Sequence, residues 1–128
     1  MTAGLSDLYR GYIDCLNRQD WQQLGDFVDG GVIYNGRRIG LDGYREMLVG
    51  DFRAIPDLRF IVDFLVVDAP KVASRLVFDC TPVADLFGLP VNGRRVQFSE
   101  NVFYAFSGRR IAQVWSVIDK AAIEAQLS

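Results

Sequence analysis

The chain has 128 residues, half of them hydrophobic, with 14 basic and 16 acidic residues and no histidine. That length suits one domain spanning residues 1–128, and the hydrophobic share suffices for a core. A net charge of −2 excludes the basic excess of a nucleic-acid binder, and the missing histidine excludes Ser-His-Asp and Cys-His catalysis.

Two cysteines, Cys15 and Cys80, without histidine offer no metal-ligand spacing, so neither metal nor cofactor is expected. Arg37-Arg38, Arg94-Arg95 and Arg109-Arg110 each lie beside a glycine and read as solvated turn charges. The first ten residues carry neither a basic nor an apolar signal region, and the apolar runs are strand-sized. These features predict a cytoplasmic protein with free thiols and no membrane or nucleic-acid partner.

Leu5, Leu8, Tyr9, Tyr12, Cys15 and Leu16 recur at helical spacing and predict a helix over 5–17. Asp20 and Gln23 have capping-box spacing ahead of a short helix burying Trp21, Leu24, Phe27 and Val28, which Gly30-Gly31 is expected to end. Asn35-Gly36 between two β-prone runs predicts a hairpin. A third helix, capped by Asp42, carries Tyr44, Met47, Leu48 and Phe52 and stops before Pro56.

Segments 58–68, 72–81, 94–106 and 110–118 are rich in Val, Ile, Phe and Tyr and read as four long strands. A short tail helix begins at Asp119. Helices followed by a strand meander predict an α+β fold: a cone-shaped, curved, mostly antiparallel sheet wrapped around the N-terminal helices and enclosing an apolar cavity.

Candidate site residues follow from this pattern. Strict alternation along the last strand places Ile111, Gln113, Trp115, Val117 and Asp119 on one face, a mixture of polar and large apolar groups suited to a ligand pocket. Asp119 also stands where a helix N-cap belongs. Glu100 shares its strand face with Phe98, Val102 and Tyr104. It reads either as an acid of raised pKa or as a partner of Arg75 or an exposed outer-face charge, the second reading being the simpler. Arg75 and Asp79 share a face and make a polar cluster with Glu100, or are solvated like Asp63. Tyr34 and Asn35 close the first short strand; Asn35 either orients a ligand or serves the turn. Cys80 reads as buried filler.

The stretch Thr81-Pro82 … Phe87-Gly88-Leu89-Pro90 … Gly93-Arg94, followed by Phe106-Ser107-Gly108-Arg109-Arg110-Ile111-Ala112-Gln113-Val114-Trp115, Asp119 and Gln126-Leu127, resembles the SnoaL-like polyketide cyclases. The resemblance is most specific over 75–127 and looser toward the N-terminus. It implies a nuclear transport factor 2-like fold that dimerises through its sheet, and a small hydrophobic or polycyclic ligand. It matches Asp119 to the acid/base of an intramolecular aldol condensation, and Trp115, Gln113, Tyr34, Asn35, Arg75, Glu100 and Tyr104 are the residues expected around that ligand. The family's Gly-Thr-His is here Cys80-Thr81-Pro82, its Glu before the Trp is Gln113, and the histidines that accompany its catalytic Asp are absent. In the related ketosteroid isomerases the base lies on an early strand near the position of Tyr34. The leading expectation is thus a cofactor-free, enolate-forming lyase or isomerase. The alternatives are a hydroxylase-like member of the same group, a non-catalytic small-molecule-binding module, and a structural dimer with a self-filled core.

Overall fold

A computed structural model describes residues 4–128. The order of elements is α1 (Leu5–Asn17), α2 (Leu24–Phe27), β1 (Val28–Tyr34), β2 (Arg37–Arg38), α3 (Gly40–Ala54), β3 (Ile61–Asp68), β4 (Lys71–Cys80), β5 (Val96–Ser107), β6 (Arg110–Ile118) and α4 (Lys120–Leu127). No helix among the described residues is long and apolar enough to cross a membrane.

The strands form one six-stranded sheet in the order β2-β1-β6-β5-β4-β3. β1 runs parallel to β6 and every other neighbouring pair is antiparallel. The α+β class holds and the sheet is mostly antiparallel, mixed only by the β1–β6 pair, but the cone-shaped wrap around the N-terminal helices does not hold: the sheet is open. Closure requires the two edge strands to pair with each other. Here the edges are β3 and the two-residue β2, which lie at opposite ends of the order. Twist alone does not join them.

One face of the sheet is buried. Val72, Leu76, Phe78, Val96, Phe98, Val102, Tyr104, Phe106, Ile111 and Val114 point from β4, β5 and β6 into a core completed by Tyr9, Tyr12 and Leu16 of α1 and by Tyr44, Leu48 and Phe52 of α3. The other face is bare. Phe64 and Val66 of β3, Phe103 of β5 and Val117 of β6 are each half-exposed or more.

Three local expectations shift. Asp20 does accept a hydrogen bond from Gln23 N–H, at 3.3 Å, but α2 is a single turn beginning at Leu24. Gly30-Gly31 does not end that helix; the pair lies inside β1, where the pairing to β6 slips register between Val28 and Ile33. α3 begins at Gly40, and Asp42 sits in its first turn, paired with Arg45 at 2.9 Å. Gly40 has φ +70, and a side chain there would meet the Gly30 carbonyl at 3.3 Å, so the reversal from hairpin into helix needs glycine.

Both cysteines are free and buried. The chain's last helix is fastened at both ends. Asp119 caps it by accepting from Ala122 N–H at 3.1 Å. The Gln126 amide accepts from Gln97 N–H at 2.9 Å and donates back to Gln97 C=O at 2.5 Å, filling the ladder position that β6 leaves open beyond Ile118. Arg94 donates to the carbonyls of Gln126 and Leu127.

Replacing Asp119 by Ala removes the cap and is expected to lower stability by about 1 kcal/mol. Urea unfolding of the variant against the parent chain checks this.

Candidate active site

α3 packs on β1, and near the C-terminal ends of β1 and β6 the core leaves a cavity of about 210 Å³. Its walls are apolar, with Met47 of α3, Ile55 just beyond that helix, Phe60 and Phe78, Phe98 of β5, and Leu86 and Phe87 of the β4–β5 loop. A smaller recess of about 50 Å³ continues from it toward Tyr12, Tyr44 and Tyr104. Tyr34, Asp51 and Glu100 line both spaces, and no lysine or arginine lines either.

Glu100 therefore points inward, among aromatic rings, rather than toward Arg75. Burial raises its pKa, and the hydroxyl of Ser116, which donates to Oε2, partly offsets the rise. Asp51 is pushed up to about 6, first by burial and then by the negative charge of Glu100. With no counter-cation beside it, Asp51 takes up a proton in mildly acidic solution. The phenol of Tyr34 is raised by burial and stays a proton donor at neutral pH. Its ring meets that of Tyr44 edge-on, with centroids 6.2 Å apart. Tyr44 in turn shares a 2.6 Å hydrogen bond with Tyr12, and Tyr9 shares one of 3.2 Å with Tyr104.

Of the residues singled out from sequence, Tyr34, Glu100 and Tyr104 meet at this cavity. Asn35 sits on the hairpin turn outside it and bonds the backbone of Ser116. The others lie elsewhere. Gln113 and Trp115 are on the bare face of the sheet, opposite Ala105 and Phe103. Arg75 pairs with Asp63 at 3.2 Å, and Asp79 with Arg95 at 2.6 Å, so neither clusters with Glu100. Asp119 is exposed and occupied in capping α4; together with Arg75, Asp79, Gln97 and Ser99 it borders an open hollow on the outer side.

The reversal on β6 has a definite cause. Phe106 pairs with Ile111 but Ala105 pairs with Gln113, so Ala112 is an extra residue, a bulge. Beyond it the inward positions are Val114, Ser116 and Ile118, not the odd-numbered ones. Asp51, which lines the cavity, and Ser116, which bonds Glu100, are the side chains of this candidate site that the sequence pattern did not single out. For Asp51 the signal was present: it continues the Tyr44, Met47, Leu48 stripe at helical spacing, a carboxyl on an apolar face.

Among the described residues, no group of three or more His, Cys, Asp or Glu side chains is placed to hold a metal ion.

The raised pKa of Asp51 has a consequence for stability. A carboxyl at about 6 when folded and 3.8 in the reference state favours folding while protonated and opposes it once ionised. Its contribution is therefore fully present below about 3.8 and is lost as pH rises to about 6 and beyond. Asp51→Asn is expected to be the more stable chain at pH 7, by at most ~3 kcal/mol. Near pH 3.5 the difference should close, and thermal melts across that range read it.

Comparison with known proteins bears on this site. The family model described as SnoaL-like polyketide cyclase matches residues 6–127. Among solved structures, the chain is similar to a SnoaL-like polyketide cyclase of Agrobacterium tumefaciens, at 57% identity and TM-score 0.98, covering 99% of this chain and 100% of that one. IdmH of Streptomyces antibioticus shares the fold at 20% identity and TM-score 0.84, covering 98% of this chain and 99% of that one. AclR of Streptomyces galilaeus does so at 18% identity and TM-score 0.78, covering 96% and 94%. No curated protein matches the chain.

Proposed function

The chain belongs to the SnoaL-like polyketide cyclase family, within the nuclear transport factor 2-like superfamily, and on that premise we propose that its cavity performs acid/base chemistry on a small hydrophobic or polycyclic carbonyl compound, with Glu100 and Asp51 transferring the protons. The observation that carries this reading is two carboxyls facing one apolar cavity with no cation beside them.

The two groups divide the work by environment. Glu100 accepts a hydrogen bond from Ser116, which favours its ionised form and suits it as the base. Asp51, at about 6, is a ready proton donor in mildly acidic solution. Glu100 removes the proton from a C–H flanked by carbonyls, and the C–H electron pair becomes an enolate. The phenol of Tyr34 donates to the developing oxyanion. The enolate carbon attacks a second carbonyl of the same molecule, forming the ring C–C bond. The resulting alkoxide takes the proton of Asp51, and transfer from Glu100 to Asp51 restores the starting state. The sequence consumes no redox equivalent, because the proton removed is the proton returned.

This reading moves the acid/base role from Asp119 to Glu100 and Asp51. Asp119 is exposed, is engaged in capping α4 and does not line the cavity, whereas both of the other carboxyls do.

The test is deuterium exchange at the activated CH₂ of an aromatic β-keto ester, followed by NMR in D₂O. Glu100→Gln is expected to lower the enzyme-dependent rate by at least about 100-fold with folding intact. Undiminished exchange in that variant removes the catalytic reading. Retained ligand binding with no exchange in the parent chain favours the binding module instead.

The same reading includes a homodimer formed through the bare face of the sheet. Phe64, Val66 and Phe103, each half-exposed or more, support it. Phe103→Glu is expected to shift sedimentation to a monomer while leaving exchange activity measurable.

A further inference from the structure

The turn at Asn35-Gly36 does more than reverse the chain. Asn35 has φ +48 and Gly36 φ +81, the left-handed pair that a two-residue hairpin requires. Asparagine, aspartate or glycine would satisfy that backbone. The side chain of Asn35 is used for something the turn does not need. Its Oδ1 accepts from Ser116 N–H at 2.8 Å and its Nδ2 donates to Ser116 C=O at 3.5 Å, while its own N–H donates to Val114 C=O at 2.9 Å. The parallel β1–β6 ladder, which ends at Tyr34 and Val114, is thus carried two residues further by one amide.

Ser116 is the one polar side chain in the inward row Val114, Ser116, Ile118. It stands diagonal to Glu100 across the β5–β6 ladder, since Val102 pairs with Ser116 and Glu100 with Ile118. Its hydroxyl donates to Glu100 Oε2. A charge-assisted bond of this kind orients a carboxylate as well as stabilising it.

We propose that Asn35 and Ser116 form a positioning relay for Glu100, in which Asn35, from outside the cavity, fixes the β6 backbone and the Ser116 hydroxyl then holds the carboxylate in one orientation. The relay rests on Glu100 being the proton-transferring group. The titratable groups facing Glu100 are Asp51 and Tyr44 of α3, Tyr12 of α1, Tyr34 of β1 and Tyr104 of its own strand. None is a cation, so the Ser116 hydroxyl is the principal support for the ionised form.

The experiment is a ¹³C-NMR titration of the Glu100 carboxyl in the full chain and in Ser116→Ala, Ser116→Thr and Asn35→Gly, each paired with the exchange assay. Asn35→Gly keeps the left-handed turn and deletes only the amide. Ser116→Ala and Asn35→Gly are expected to raise the titration midpoint of Glu100 by about one pH unit. The acid limb of the exchange profile should move with it, kcat falling about tenfold with KM little changed. Ser116→Thr, which keeps the hydroxyl, should restore the parent midpoint. An unchanged midpoint in both Ser116→Ala and Asn35→Gly overturns the relay, and a shift in Ser116→Ala alone overturns the part assigned to Asn35. The titration reads Glu100 without turnover. Full activity in Glu100→Gln would therefore defeat the catalytic reading while leaving the relay to be judged by the midpoints.

Discussion

Glu100 stands in the middle of β5, on the face that α1 and α3 cover, and no lysine or arginine lines its cavity. A buried carboxyl without a counter-cation must be hydrogen-bonded, protonated or both. Much of the surrounding architecture answers that requirement. Ser116 supplies the donor, the β6 bulge brings Ser116 to the inward face, and Asn35 holds that stretch of β6 in place. Asp51 then titrates in the field of Glu100, which helps to bring it to about 6. An arginine in the same place would instead hold the carboxylate in its ionised form.

The division of the sheet into two faces sets the rest. β5 presents Val96, Phe98, Glu100, Val102, Tyr104 and Phe106 inward, while Phe103 stands half-exposed on the outer side. Paired charges decorate the outer side, with Arg75 on Asp63 and Arg95 on Asp79. These exposed pairs contribute little to stability. They leave both guanidinium groups outside the cavity lining.

How much of this the sequence revealed depends on the range of the interaction concerned. Helical spacing located α1 and α3, Asn35-Gly36 marked the hairpin, and the β-branched and aromatic runs located four long strands, because each is a local pattern. The inward face of β5 was legible from its own alternation, which grouped Glu100 with Tyr104. Three things were not legible. The parallel docking of β1 on β6 is a long-range pairing that leaves no local trace, and with it went the open, mixed character of the sheet. The bulge at Ala112 is an offset between two strands, so alternation counted along β6 alone assigned Gln113 and Trp115 to the wrong side. The burial of Asp51 depended on what α3 would meet, and the stripe it shares with Tyr44 and Met47 was read for its apolar members only.

The extra residue on β6 also defines how this site can change in evolution. Loss of the single codon for Ala112 would leave the protein in frame and would also leave the pairing on either side of it unchanged, with Ile111 still opposite Phe106 and Gln113 still opposite Ala105. Val114, Ser116 and Ile118 would keep their inward positions, because the residue removed is the one with no partner across the ladder. A one-residue deletion is absorbed here as a local straightening, whereas the same loss in a regularly paired stretch turns every side chain beyond it to the opposite face. The bulge is slack in the strand, a point where chain length can vary while the row of side chains beside the carboxylate is inherited intact.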